Sequence, residues 1–167
     1  MNTMKQVVDR SDVDRFLRGR RFALIGASEA ASAFSSTVMA ALEQHGYDVV
    51  PVNPRRPVIN GQVRCHASVR DIEGTIDGAI IMVPSEAAEQ AVQECIAAGI
   101  TEVWLFRGVG KGSCSDAAAQ ACRDHGVGLV NGACPLMFLD PVRGVHRLHR
   151  GVCRARRSLV DSGVGGP

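Results

Sequence analysis

Two short stretches carry the residue types that hold phosphate. The first is Gly26-Ala27-Ser28, which follows the apolar run Phe22–Ile25 and leads into a serine-rich segment containing Ser28, Ser32, Ser35 and Ser36. Glycine lets backbone approach a ligand closely, a serine hydroxyl donates a hydrogen bond, and the free N–H groups of a helix start favour an anion. A tight strand-to-helix turn uses the same glycine with no ligand at all, so this stretch alone leaves both readings open. The second is Asn53-Pro54-Arg55-Arg56-Pro57, after the apolar run Val49–Val52. Folds that bind NAD place an acid at this point for the ribose 2′-hydroxyl. Two arginines in its stead attract a phosphorylated ribose. Ser28 and Ala31 also stand where the second and third glycines of G-x-G-x-x-G would be. Together the two stretches disfavour NAD and favour an adenosine with an extra phosphate on its ribose, which NADP and coenzyme A both carry. A solvated surface turn is the competing reading of Arg55 and Arg56.

Other reactive side chains read more plainly. His45 and His125 each precede a glycine at the end of a helical stretch and read as helix C-terminal caps. His66 has only Cys65 beside it, and neighbours on an extended segment point to opposite faces. Cys95 and Cys122 fall on apolar helical stripes, while Cys65 and Cys114 lie in loops. Cys134 sits at an expected strand end. It reads as a buried inert thiol or, with a lowered pKa, as a thiol able to form a mixed disulfide. His146, His149 and Cys153 would share a face of a helix over 143–157, half a metal site without a visible second half.

The elements that position these groups follow from the apolar pattern. Five short runs, Phe22–Ile25, Val49–Val52, Ala79–Val83, Val103–Phe106 and Val127–Val130, recur about every 25 residues, the period of a strand, a helix and two turns. The third and fourth are apolar throughout, as in strands covered on both faces. Between them lie helical stretches over 37–45, 86–98 and 115–125, each closed by a glycine: Gly46, Gly99 and Gly126. The expected N-caps are Ser35 or Ser36 for the first, Ser85 for the second and a Ser113/Asp116 capping box for the third. Ser11 with Asp14 suggests a short helix before the first strand, and Ser68 caps a turn over 66–74. The expected fold is therefore α/β, a Rossmann-like open parallel five-stranded sheet with helices on both faces.

Length, charge and composition narrow the function classes. A chain of 167 residues with 46% hydrophobic and 22% charged residues is a globular domain with a core of its own. No apolar run approaches the roughly 20 residues of a membrane span. The opening MNTMKQVVDRSDVDRF has no apolar signal core. The six cysteines therefore read as reduced thiols, and the expected compartment is cytoplasmic. Residues 143–157 hold six arginines and no acid; taking these from 19 basic residues leaves 13 against 17 acidic ones, a balance of −4. An acidic body argues against a nucleic-acid face there. The expected organisation is a nucleotide-binding domain over 1–142 and a basic helix with a frayed tail over 143–167.

The runs FALIGAS, GYDVVPVNP, AIIMVPSEAAEQAVQECIAAGITEVWLF and VGLVNGACP, in this order, resemble the stand-alone CoA-binding domain family. That family is similar to the N-terminal nucleotide domain of the succinyl-CoA synthetase alpha subunit, and the likeness covers about residues 9–140. The resemblance implies a Rossmann-like domain that holds coenzyme A by its 3′-phospho-ADP part. It implies that Gly26, Ala27 and Ser28 line the pyrophosphate, with Ser35 at the following helix start. It puts Asn53, Pro54 and Arg56, beside Arg55, on the adenosine side. Val83, Pro84 and Ser85 would border the nucleotide, Phe106, Arg107 and Gly108 would form the next loop, and Asn131 to Pro135, with Cys134, would lie near the pantetheine path. The chain has Ala31 and Ala33 where the family carries a proline and a basic residue, and Phe138 where many members have an acid. These departures bear on affinity more than on fold. The length leaves no room for the histidine-bearing second domain of a ligase, so the expectation is binding of CoA or acyl-CoA without catalysis. The alternatives are an NADP-binding oxidoreductase-like protein and a redox or interaction protein acting through Cys134 or the basic tail.

Overall fold

The computed structural model describes residues 8–27, 34–55, 57–59, 63–108 and 110–139. The expected helix over 143–157, with His146, His149 and Cys153, and the candidate site residues Ser28 and Arg56 lie outside them. The chain forms α1 (Arg10–Phe16), β1 (Arg21–Ile25), α2 (Phe34–Gln44), β2 (Asp48–Val52), β3 (Val58–Ile59), β4 (Val63–Arg64), β5 (Gly78–Ile81), α3 (Ser85–Ala97), β6 (Glu102–Phe106), α4 (Asp116–Asp124) and β7 (Gly128–Ala133). β1, β2, β5, β6 and β7 are the five expected strands. They make one parallel sheet in the order β2-β1-β5-β6-β7. The winding reverses between β1 and β5, which is the switch point of this doubly wound fold.

Strand periodicity explains why the runs are apolar at every position. Phe22, Leu24, Ile80 and Trp104 face α1 and α2, whereas Ala23, Ile25, Ala79, Ile81, Val103 and Leu105 face α3 and α4. The two layers are filled differently. On the first, Trp104 is fully buried, sits edge-on to Phe16, and donates its indole N–H to the Ala133 carbonyl at 2.9 Å. On the second, α3 and α4 offer small residues, Ala88, Ala91, Cys95, Ala118, Ala121 and Cys122, which let both helices lie close to the sheet.

Several local expectations change. The three helix-closing glycines, Gly46, Gly99 and Gly126, have φ of 86°, 78° and 66°, as the C-terminal pattern requires. The N-caps move, because a cap is decided by the conformation of one residue and several serines or acids compete for it. Asp9, not Ser11, caps α1 by accepting from the Ser11 N–H. Ser115, not Ser113, caps α4. Pro84 occupies the N-cap position of α3 with no side-chain bond, so Ser85 is the first helical residue. Ser35 lies inside α2 and is buried beside Val38, Met39 and Leu42. The Ser68 cap stands as a full capping box with Asp71. β5 ends at Ile81, short of Val83, and β7 runs on to Ala133. There a bulge leaves Gly132 (φ 86°) unpaired between the Leu105–Asn131 and Phe106–Ala133 partners. The β3–β4 hairpin was not expected; its sequence signal is Asn60-Gly61 between Val58-Ile59 and Val63-Arg64.

Burial raises the Cys95 thiol from 9.0 to about 12, with the nearby Cys122 adding to the effect, and raises Cys122 to about 11. The folded state thus keeps protons that the unfolded chain gives up first. The resulting stability is complete below about pH 9 and lost as pH rises towards 11–12. Melting temperature followed from about pH 9 to about pH 11 is expected to fall more steeply in the native protein than in Cys95→Ala or Cys122→Ala. Equal slopes would assign the alkaline loss elsewhere.

Candidate functional site

Ligands of open parallel sheets bind beyond the carboxyl ends of the strands, and the loops there are tied to one another. At the end of β1, the N–H groups of Gly26 and Ala27 both donate to the Val52 carbonyl, at 3.0 and 3.3 Å. Gly26 has a φ of 93°, and a Cβ there would stand 2.9 Å from the carbonyl carbon and oxygen of Met82. The glycine therefore serves the packing of β1 against the loop after β5, and neither N–H is free for a phosphate. Asn53 closes the other side. Its Nδ2 donates to the Ala27 carbonyl at 2.6 Å, its Oδ1 accepts the Arg55 N–H at 2.9 Å, and its own N–H donates to His66. This Asx turn sets Pro54 and Arg55 exposed immediately beyond β2.

The loops after β5 and β6 are joined in the same manner. The Ser113 hydroxyl, buried, donates to the Val83 carbonyl at 2.5 Å, and the Ser113 N–H donates to Phe106 at 2.8 Å. The Ser113/Asp116 spacing predicts a helix cap, and no local sequence pattern announces this link. Val83 is half-buried, Pro84 exposed and Ser85 half-buried. Beside Ser85, the Glu86 carboxyl is held below the usual carboxylate range by its own backbone N–H and the Ser85 hydroxyl, with the Lys111 charge adding. Arg107 and Gly108 are exposed, and Arg107 Nε donates to the Gly110 carbonyl at 2.9 Å. Phe106 is half-buried and meets Phe34, which is 45% exposed, at a ring-centroid distance of 5.3 Å.

Of the remaining candidates, Ser35 is buried in α2. Cys134 is half-buried at the N-cap of a 3-10 turn over Pro135–Met137. Cys114, near the Gly132 bulge, has its thiol pushed up by burial against the opposing charge of Arg107. His45 and His125 place Nδ1 2.7 and 2.9 Å from the Ala41 and Ala121 carbonyls, the helix-end positions expected of them. A groove of about 410 Å³ lies at the opposite, amino ends of the strands, lined in part by Val69, Arg70, Ile76 and Ile100. Its walls hold none of the candidate residues.

Residues 20–140 match the CoA binding domain family. The chain belongs to that family. It is similar to the alpha subunit of an ADP-forming acetate–CoA ligase (form II) from Pyrococcus furiosus, 36% identical over 95 residues. An ADP-forming acetate–CoA ligase from Methanocaldococcus jannaschii is 33% identical over 78 residues. The matched stretches are 56% and 47% of this chain but only 21% and 11% of those relatives. A solved structure of a hypothetical protein from Pyrococcus horikoshii is 26% identical with a TM-score of 0.70, covering 82% of this chain and 93% of that one. Family membership and the switch-point order together bear out the Rossmann-like CoA-binding domain expected from the four motifs. Among the described residues, no helix is long and apolar enough to cross a membrane.

The tied loops imply a rank order of stability. Gly26→Ala meets both a left-handed φ and a backbone obstruction and is expected to cost about 3 kcal/mol. Asn53→Ala orphans a carbonyl and an N–H for about 1–2 kcal/mol. Ser113→Ala should cost about 1 kcal/mol. Urea unfolding of the three variants checks the order; a neutral Gly26→Ala would contradict the close β1–β5 contact.

Proposed function

We propose that the protein binds coenzyme A or an acyl-CoA over the β1/β5 switch point, with the 3′-phosphate of its 3′-phospho-ADP part toward Arg55 and Arg56. The observation that carries the reading is the end of β2. It holds Asn-Pro-Arg where a bare ribose would call for an acid, and Asn53 spends its side chain on the backbone that presents Arg55. Family membership supports coenzyme A over NADP.

The fit to the remaining parts of CoA is uneven. Val52 takes the N–H groups of Gly26 and Ala27, so the pyrophosphate donors proposed on this side are Ser28, which lies outside the described residues, and the N–H groups at the start of α2. The start of α3 already carries the Glu86 carboxylate, which repels a phosphate, so the anion belongs nearer α2. Val83, Pro84, Ser85, Arg107, Gly108 and Cys134 remain as the wall along which the uncharged pantetheine would run. The proposal is binding without a reaction of its own, and the ligase activity named for the relatives is not carried over.

Calorimetric titration tests it. Charge-assisted bonds to phosphate are worth about 1.5–3 kcal/mol, so removing them costs about tenfold or more in affinity. Arg55→Ala with Arg56→Ala is expected to show that loss for CoA and about twofold or less for 3′-dephospho-CoA. Equal losses would remove the arginines from the phosphate. NADP binding tighter than CoA would favour the dinucleotide reading instead.

A further inference from the structure

We infer that the groove at the amino ends of the strands is a second binding site, for a small zwitterion whose carboxylate and ammonium groups are joined by a short aliphatic chain. This site shares no residue with the carboxyl edge and does not depend on the coenzyme A reading.

Two segments make the groove, whose volume is about 410 Å³. One wall is the 3-10 turn Val69–Asp71 with the loop that follows it, and the other is the end of α3 with Gly99 and Ile100. Val69 and Ile100 are buried, and Ile72 and Ile76 pack half-buried on the same core, so aliphatic side chains back the groove. The first wall is held in place. The Ser68 hydroxyl accepts the Arg70 N–H at 3.2 Å, the Ser68 N–H donates to the Asp71 carboxylate at 3.0 Å, and Arg21 donates to the Glu73 carbonyl at 2.7 Å.

Each wall carries a charge requirement that the chain leaves unmet. Arg70 lines the groove, and its guanidinium makes no ion pair or hydrogen bond among the described residues. Its neighbour Asp71 is committed to Ser68, and neither Asp71 nor Glu73 lines the groove. The facing wall is a helix C-terminus, which carries partial negative charge and favours a cation. The other helices supply their own. α1 has Arg15 in its last turn, α4 has Arg123, and His45 at the end of α2 sets Nδ1 2.7 Å from the Ala41 carbonyl. α3 has no basic residue in its last turn, and the Ala97 and Ala98 carbonyls accept no hydrogen bond among the described residues. A carboxylate alone answers Arg70 and leaves these carbonyls bare, whereas an amine alone does the reverse. A zwitterion with a few methylenes between its ends answers both walls and covers the aliphatic side chains behind them.

The test is an amide NMR titration of the full chain with 5-aminopentanoate, pentanoate and pentylamine. The zwitterion is expected to shift amides in 69–76 and 97–100. It is expected to bind about tenfold tighter than pentylamine, which lacks the charge-assisted bond to Arg70. Against pentanoate, which lacks the cation at the helix end, the expected gain is about threefold. Arg70 and Ala97 are exposed, so substitution there spares the core. In Arg70→Gln, 5-aminopentanoate is expected to fall to the affinity of pentylamine, with pentylamine itself unchanged. Ala97→Lys supplies the missing cation from within the chain and is expected to bring 5-aminopentanoate down to the affinity of pentanoate. No shift in 69–76 and 97–100 overturns the site, as does equal binding of 5-aminopentanoate and pentanoate to the native protein. Pentylamine weakened as much as 5-aminopentanoate by Arg70→Gln would make Arg70 a structural residue and overturn its role.

Discussion

At the end of β1 the chain passes between the carbonyl of Val52 on one side and the backbone of Met82 on the other, and a residue with a side chain does not fit. Gly26 meets that constraint and turns with a positive φ toward α2. Because the turn is bound to β2 and pressed on the loop after β5, the three strand ends form one surface. Asn53 and Ser113 extend it, the first to Ala27 and the second from Val83 to the loop after β6. Arg55 stands exposed on this edge beyond β2, and the Phe34–Phe106 pair lies by the end of β6.

The two ends of the sheet differ in how charge is used. At the amino ends, acids and arginines neutralise one another: Arg21 with Asp48, Arg15 with Glu102, and Asp77 accepting the N–H groups of Arg20 and Arg21. These contacts fix α1 and the strand starts. At the carboxyl ends, Arg55 makes no ion pair among the described residues, and Asn53 takes the place an acid would hold in an NAD site. The groove at the amino ends is roomy, but its lining offers only Arg70 as a charge, so size alone does not mark the ligand edge.

Much of this was legible in the sequence. Apolar runs announced the five strands, and the glycines announced the helix ends, because burial on both faces and a left-handed residue each leave a local mark. The order of strands left none: Ile80 and Trp104 read as buried whichever strands lie beside them. The caps of α1, α3 and α4 were misplaced by a few residues, since serines and acids crowd each start. Gly26 and Asn53 read from the sequence as ligand contacts; in the structure both hold the loops together. Ser113 and the Phe34–Phe106 pair depend on approaches between residues far apart in the chain, which one sequence does not display.

Coenzyme A is proposed to bind the carboxyl edge at the β1/β5 switch and not the groove at the amino ends. Hydrogen exchange with and without saturating CoA tests this most directly. Added protection is expected in residues 26–36, 53–57, 82–87 and 106–113, with 69–76 and 97–100 unchanged. Protection centred on 69–76 and 97–100 would contradict it.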